Sequence, residues 1–181
     1  MLPNPPAMLD ESERKLYTLL ALRELGSCND LQLLYFMVDN EIMTYFDLSL
    51  ALPELVNEGH AARLSGAAGI LYQITDAGKE TLSFFVNRLP HSKATQIIAA
   101  APDWREKFMS EKQFPAQVIH LPGGACVAQL RLMEENLPAL SLDIPLPDRA
   151  TADRIVRLWP QRAGDIYRYL MSILDDSEEK P

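Results

Sequence analysis

Apolar residues in the first ninety positions recur at helical spacing, and the turns between them carry helix stop and start signals. Asp10-Glu11-Ser12-Glu13 has the spacing of a capping box and opens a helix marked by Leu16, Leu19, Leu20 and Leu22, stopped by Gly26. Asn29 and Gln32 repeat that spacing and open a second helix, Asp30 to about Asp39. Thr44 with Asp47 opens a third, which Gly59 closes after Glu58. The period then changes to two. Ala61–Leu64 and Ile70–Ile74 read as strands joined by Ser65-Gly66-Ala67-Ala68-Gly69. Thr75 or Asp76 caps a fourth helix with Leu82, Phe85, Val86 and Leu89 on one face, and Pro90 ends it.

The order helix–helix–helix–hairpin–helix predicts a winged helix-turn-helix over residues 8–90. Residues 91–113 read as a helical connector, with a kink or break at Ala101-Pro102. After Pro115 the pattern is β. Ala116–Leu121 and Ala125–Met133 flank the turn Pro122-Gly123-Gly124, and Ala139–Ile144 follows the polar turn Glu134-Glu135-Asn136. Cys126, Ala128, Leu130 and Leu132 share one face of the second strand while Gln129 and Arg131 share the other, as in a half-buried antiparallel sheet. Asp148 caps a helix to Trp159, Pro160 breaks it, and a last helix spans Ala163 to Leu174. The expected fold class is α+β, with a small C-terminal domain (114–176) of an antiparallel meander plus two helices. The Pro-rich lead-in MLPNPPAM and the acidic tail DDSEEKP are expected to be loose and frayed.

Charge sharpens the question of what such a fold binds. The chain of 181 residues has a net charge of −8. Residues 1–90 carry 6 Lys and Arg against 12 Asp and Glu, net −6. Nucleic-acid binders usually present a basic face, because phosphate neutralisation supplies much of their affinity. Exposed charges more than a Debye length of about 8 Å from the contact are largely screened, so the total lowers the expectation of DNA binding without excluding it.

The third helix is where that expectation is decided. At about 100° per residue, Tyr45, Leu48, Leu52, Leu55 and Val56 form an inward face. Asp47, Leu50, Glu54 and Asn57 lie opposite, with Phe46 and Glu58 on the flanks. In ordinary winged-helix docking the outward face enters the major groove, where Asn57 can read adenine and Glu54 or Asp47 can accept from cytosine. The helix bears no Lys or Arg, and its carboxylates repel phosphates. Pro53 removes a helical donor at a cost of about 3 kcal/mol, so a kink near Ser49–Pro53 or a division into two helices is expected. Asn57, Arg63, Ser65 and Lys79 are the candidate DNA contacts, and Arg14, Lys15 and Arg88 add scattered cations. The plainer account is that these are solvated surface charges. Phe46, Asp47, Leu50 and Glu54 make an alternative surface, apolar with an acidic rim, that suits a protein partner.

Elsewhere the residues offer less. Arg149, Arg154, Arg157, Arg162 and Arg168 form a basic cluster, with Arg154 and Arg157 on one face. It suits an acidic partner or a phosphate, although Asp148, Asp153 and Asp165 are interleaved and expected to pair with it. His60, His91 and His120 stand alone, Cys28 and Cys126 form no CxxC pair, and neither GxSxG nor a phosphate-loop Lys occurs. No enzyme, metal or cofactor is therefore expected, and two distant thiols fit a reducing cytoplasm. Trp104 and Trp159 read as core or interface anchors, and Trp104-Arg105-Glu106-Lys107-Phe108 is a candidate contact for a homodimer.

The chain resembles the bacterial "domain of unknown function 4364" family along most of its length. The segments that carry the likeness are LYFMVDNEIMTYFDLSLALPELVNEG (Leu34–Gly59), YQITDAGKETLSFFVNRLP (Tyr72–Pro90), LPALSLDIPLPDRATADRIVRLW (Leu137–Trp159) and DIYRYLMSIL (Asp165–Leu174), in that order. Pro53 departs from the family's pattern, where a helix-compatible residue stands. The resemblance implies an N-terminal winged helix, and through it a link to transcription regulation. Together these observations predict a cytoplasmic, dimeric, DNA-binding regulator-like protein, with a protein-binding adaptor as the alternative.

Overall fold

The computed structural model describes residues 9–66 and 69–175. The lead-in, Ala67 and Ala68 of the hairpin loop, and the tail beyond Asp175 lie outside the described residues. The fold is α+β, six α-helices with one two-stranded and one three-stranded antiparallel sheet among the described residues. The chain divides into two compact units, Met1–Glu106 and Lys107–Pro181.

In the first unit, α1 (Glu11–Leu25), α2 (Asp30–Asp39) and α3 (Tyr45–Asn57) start where their caps lie. The Asp10 carboxylate accepts from the Glu13 N–H at 2.7 Å. Full capping boxes form at Asn29/Gln32 and Thr44/Asp47, each satisfying two otherwise orphaned backbone donors. α1 is the central element. Every residue from Leu16 to Leu22 is buried, against Leu33, Phe36 and Met37 of α2 and Leu48, Ala51, Leu52 and Leu55 of α3. The hairpin of β1 (Ala61–Gly66) and β2 (Gly69–Ile74) follows, in register from Ala61↔Ile74 to Gly66↔Gly69. Cys28 adds a short antiparallel bridge to Tyr72, so the α1–α2 link is tied to the hairpin. α4 (Asp76–Phe85), capped by Thr75, continues into a 3-10 turn at Val86–Arg88. Its start closes on the turn between α3 and β1 at Gly78, where a Cβ would lie 2.1 Å from the His60 carbonyl oxygen.

α5 (His91–Gln113) runs through Pro102 without the break expected there. Buried Ile97 and Ala101 precede the proline, and the Trp104 ring meets Phe36 edge-on at 5.7 Å after it. Both sides are thus held, which offsets the lost hydrogen bond.

The second unit is a meander of β3 (Ala116–His120), β4 (Cys126–Glu134) and β5 (Leu137–Leu146), in the order β3-β4-β5. Gly123 and Gly124, with φ of 87° and 88°, make the first turn as only glycine readily does. Glu135 and Asn136 make the second, both at positive φ, which matches the twist of a two-residue hairpin. Pro138 and Pro145 sit in β5, an edge strand, where a missing N–H is tolerated. Ala128, Leu130 and Leu132 face Trp159 and Ala163 of α6 (Arg149–Asp175).

The two terminal helices expected on either side of Pro160 are this one helix. Ala152, Trp159 and Ala163 are buried before and after the proline, and the Trp159 indole N–H donates to the Arg131 carbonyl at 2.8 Å. Burial on the same sheet holds both halves in line against a local cost of about 3 kcal/mol.

Candidate nucleic-acid interface

The outward surface of α3 differs from the wheel drawn on the sequence. Asp47 is 2% exposed and turned inward, not outward. Its carboxylate accepts from the Thr44 N–H at 3.1 Å and the Thr44 hydroxyl at 2.7 Å, a capping role that fixes it against the body of the unit. Its other oxygen, Oδ1, is buried without a partner. Asp47 is therefore withdrawn from the partner surface proposed for it. Tyr45, placed inward by periodicity, is exposed, because the first turn of α3 projects past the core. Pro53 breaks nothing. α3 is one helix, and Pro53 is exposed, where water can reach the Ser49 carbonyl that lacks its donor.

The remaining carboxylates of α3 and its cap are not free. Arg14 reaches Glu54 at 3.4 Å, and Lys15 reaches Glu54 at 3.4 Å, Glu58 at 2.7 Å and Glu11 at 2.7 Å. His60 Nδ1 lies 3.4 Å from Glu58. The hydrogen bond from Lys15 is the main cause that holds the carboxyls of Glu58 and Glu11 below their ordinary range, and those bonds raise the Lys15 ammonium in turn. A hydrogen bond between residues 14 and 54 is invisible to local pattern, which is why these glutamates read as a repelling face.

What α3 offers outward is a neutral and partly apolar surface: Phe46 (71% exposed), Tyr45, Ser49, Leu50, Pro53 and Asn57. The Tyr45 and Phe46 rings meet edge-on at 5.6 Å. Along the hairpin, Arg63 and Ser65 are exposed, and Arg63 makes no ion pair among the described residues. Lys79 is exposed but engages Asp76 at 2.9 Å, and that bond lowers the Asp76 carboxyl. Arg88 stacks 4.8 Å over the Phe85 ring. Asn57, Arg63 and Ser65 thus stand open at the end of α3 and on the hairpin, whereas Arg14 and Lys15 are spent on α3's own carboxylates.

The basic cluster of α6 is divided. Arg149 pairs with Asp153 at 3.2 Å and Arg168 with Asp165. Among the described residues Asp148 lies within ion-pair distance of no arginine, although Arg154 acts on it electrostatically. It caps the helix, accepting from the Thr151 N–H at 2.8 Å, which lowers its carboxyl. Arg154, Arg157 and Arg162 are exposed and make no ion pair among the described residues. Sequence reasoning missed one juxtaposition: His120 Nδ1 lies 3.6 Å from Cys126 Sγ across the β3–β4 register. A thiol buried beneath that hairpin is not placed to act as a nucleophile. Cys28 is likewise buried, which pushes its thiol up to about 12. The described residues contain no group of three or more potential metal ligands and no helix long and apolar enough to cross a membrane.

No curated relative and no solved structure matches the chain. The family model described as "Domain of unknown function (DUF4364)" matches residues 14–174, nearly the whole chain, and the protein belongs to that family.

Proposed function

We propose that the first unit is a winged helix of the transcription-regulator type, with α3 as its recognition helix and the β1–β2 hairpin as its wing. Asn57, Arg63, Ser65 and Lys79 are the groups that contact duplex DNA, and the activity is binding, not catalysis. One observation carries the reading. The carboxylates that would repel phosphates are buried or paired, leaving an outward face without free negative charge beside an open Arg63. Asn57 supplies an amide able to pair with adenine, worth about 1–3 kcal/mol of discrimination where the geometry is bidentate.

The few available cations set the strength. Two to four phosphate contacts give a log–log salt slope of roughly −2 to −4. Fluorescence anisotropy of the full chain with labelled duplex, titrated from ~50 mM salt upward, reads this slope. Arg63→Glu is expected to abolish the binding. No salt-dependent binding by the wild-type protein at ~50 mM salt would sink the proposal.

The apolar half of the same face favours a second reading, a protein-binding adaptor that seats Tyr45, Phe46, Leu50 and Pro53 in a partner. Leu50→Asp separates the two. On the DNA reading it weakens duplex binding by adding a carboxylate to the interface. On the adaptor reading the wild-type protein has no duplex binding to lose.

A further inference from the structure

We propose that α6 joins two copies of this chain, antiparallel, through the lateral stripe of Leu158, Ile166, Tyr169 and Ile173. The inference goes beyond DNA contact and does not depend on it. α6 has two apolar lines, not one. Ala152, Trp159 and Ala163 form the line buried on the sheet. Rotated about 80° round the helix, Leu158, Arg162, Ile166, Tyr169 and Ile173 follow one another at spacings of three and four residues. The four apolar members are 44%, 37%, 67% and 48% exposed. The line is about 22 Å long, enough for a helix-to-helix seam.

Charge decides what covers it. Residues 149–162 hold four arginines and one aspartate, net +3. Residues 165–175, the rest of α6, hold Asp165 and Asp175 against Arg168, net −1, and the sequence that follows, outside the described residues, adds Asp176, Glu178 and Glu179 against Lys180. Within one copy of α6, Arg157 and Asp175 cannot neutralise each other. Arg157 and Asp175 are separated by roughly 27 Å of helix axis, several times the screening length of about 8 Å. Arg154, Arg157 and Arg162 accordingly keep their charge without an ion pair among the described residues. A second α6 laid antiparallel sets each basic half beside an acidic half, and a parallel one sets like against like. With the two-fold axis near Ile166, the stripe meets itself, as an isologous contact requires. Leu158 then packs near the partner's Ile173, and Arg162 lies beside the partner's Tyr169, a cation–π geometry. The basic cluster thereby finds the acidic partner its composition suits: the end of the same helix in another copy.

The test uses the full chain in sedimentation velocity and oxidative cross-linking. The wild-type protein is expected to sediment as a dimer that loosens as salt rises. Tyr169→Asp with Ile173→Asp is expected to give a monomer with unchanged far-ultraviolet circular dichroism. Arg154→Glu with Arg157→Glu is expected to raise the dimer Kd at least ~10-fold. Ile166→Cys is expected to cross-link to itself. Leu158→Cys and Ile173→Cys are expected to cross-link when the two proteins are mixed, and neither alone. A wild-type monomer throughout the micromolar range overturns the proposal. So does a dimer that Ile166→Cys leaves uncross-linked, which places the contact elsewhere, or self-cross-linking at both Leu158→Cys and Ile173→Cys, which makes the helices parallel. Duplex binding is read in none of these, so their failure leaves the DNA proposal standing.

Discussion

Lys15 carries more of the candidate interface than any residue on α3 itself. Its ammonium lies among Glu11, Glu54 and Glu58, with Arg14 and His60 at the edge of the group. The signs of the shifts give the pH window. The carboxyls of Glu11 and Glu58 are lowered from 4.5, so their contribution to stability is present above that pH and is lost as pH falls through their folded values. Lys15 is raised from 10.5, so its contribution is complete below that pH and is lost as pH rises through the raised value. Lys15→Met is expected to cost on the order of 1 kcal/mol at neutral pH, since the glutamates are partly solvated and the pairs are screened. The gap in Tm between variant and wild type should narrow as pH is lowered from neutral toward ~3 and the carboxyls begin to protonate. An equal gap at both pH values would mean that Lys15 contributes packing only. The same substitution frees Glu54 and Glu58 beside α3, so duplex binding should weaken with it.

At the scale of elements, the prolines divide what could be read in the sequence from what could not. Each capped start was legible, because Asp10, Asn29 with Gln32, Thr44 with Asp47, and Thr75 act within one turn of chain. The meander was legible too, because Cys126, Ala128, Leu130 and Leu132 alternate on one face. The course of α3, α5 and α6 through Pro53, Pro102 and Pro160 was not. A local cost of about 3 kcal/mol was overridden by burial of residues on both sides, and that burial depends on partners distant in sequence. The pairing of Glu54 with Arg14 was hidden for the same reason, whereas the withdrawal of Asp47 follows from the local capping box with Thr44. Pro53 gives the direct check. Pro53→Ala restores a donor to the Ser49 carbonyl, worth up to about 3 kcal/mol, against about 0.4–1 kcal/mol lost by freeing the unfolded chain. A rise in Tm of several degrees is expected by calorimetry. A fall would show that the backbone conformation Pro53 imposes is needed to seat Leu52 and Leu55.

For the whole molecule, the question is whether two cores unfold as one. The first unit is built round α1, and the second round Leu130, Trp159 and Ala163. Each core draws its buried apolar side chains from its own stretch of chain, which is the condition for separate cooperative transitions. The chain carries a reporter in each. Trp104 sits against Phe36 in the first unit, and Trp159 is buried in the second with its N–H on Arg131. Trp104→Phe leaves Trp159 as the only indole, and Trp159→Phe leaves Trp104. Urea titrations of the two proteins followed by fluorescence are expected to give different midpoints. Trp159→Phe weakens the second core itself, so Leu130→Ala supplies the decisive comparison. It should destabilise the second unit by about 2–5 kcal/mol. The Trp159 transition should therefore move to lower urea, while the Trp104 transition stays where the Trp159→Phe background placed it. If Leu130→Ala shifts both by the same free energy, the chain unfolds as a single cooperative body. The first unit would then draw stability from the meander, and the proposed contact with DNA at α3 would be coupled to events at α6.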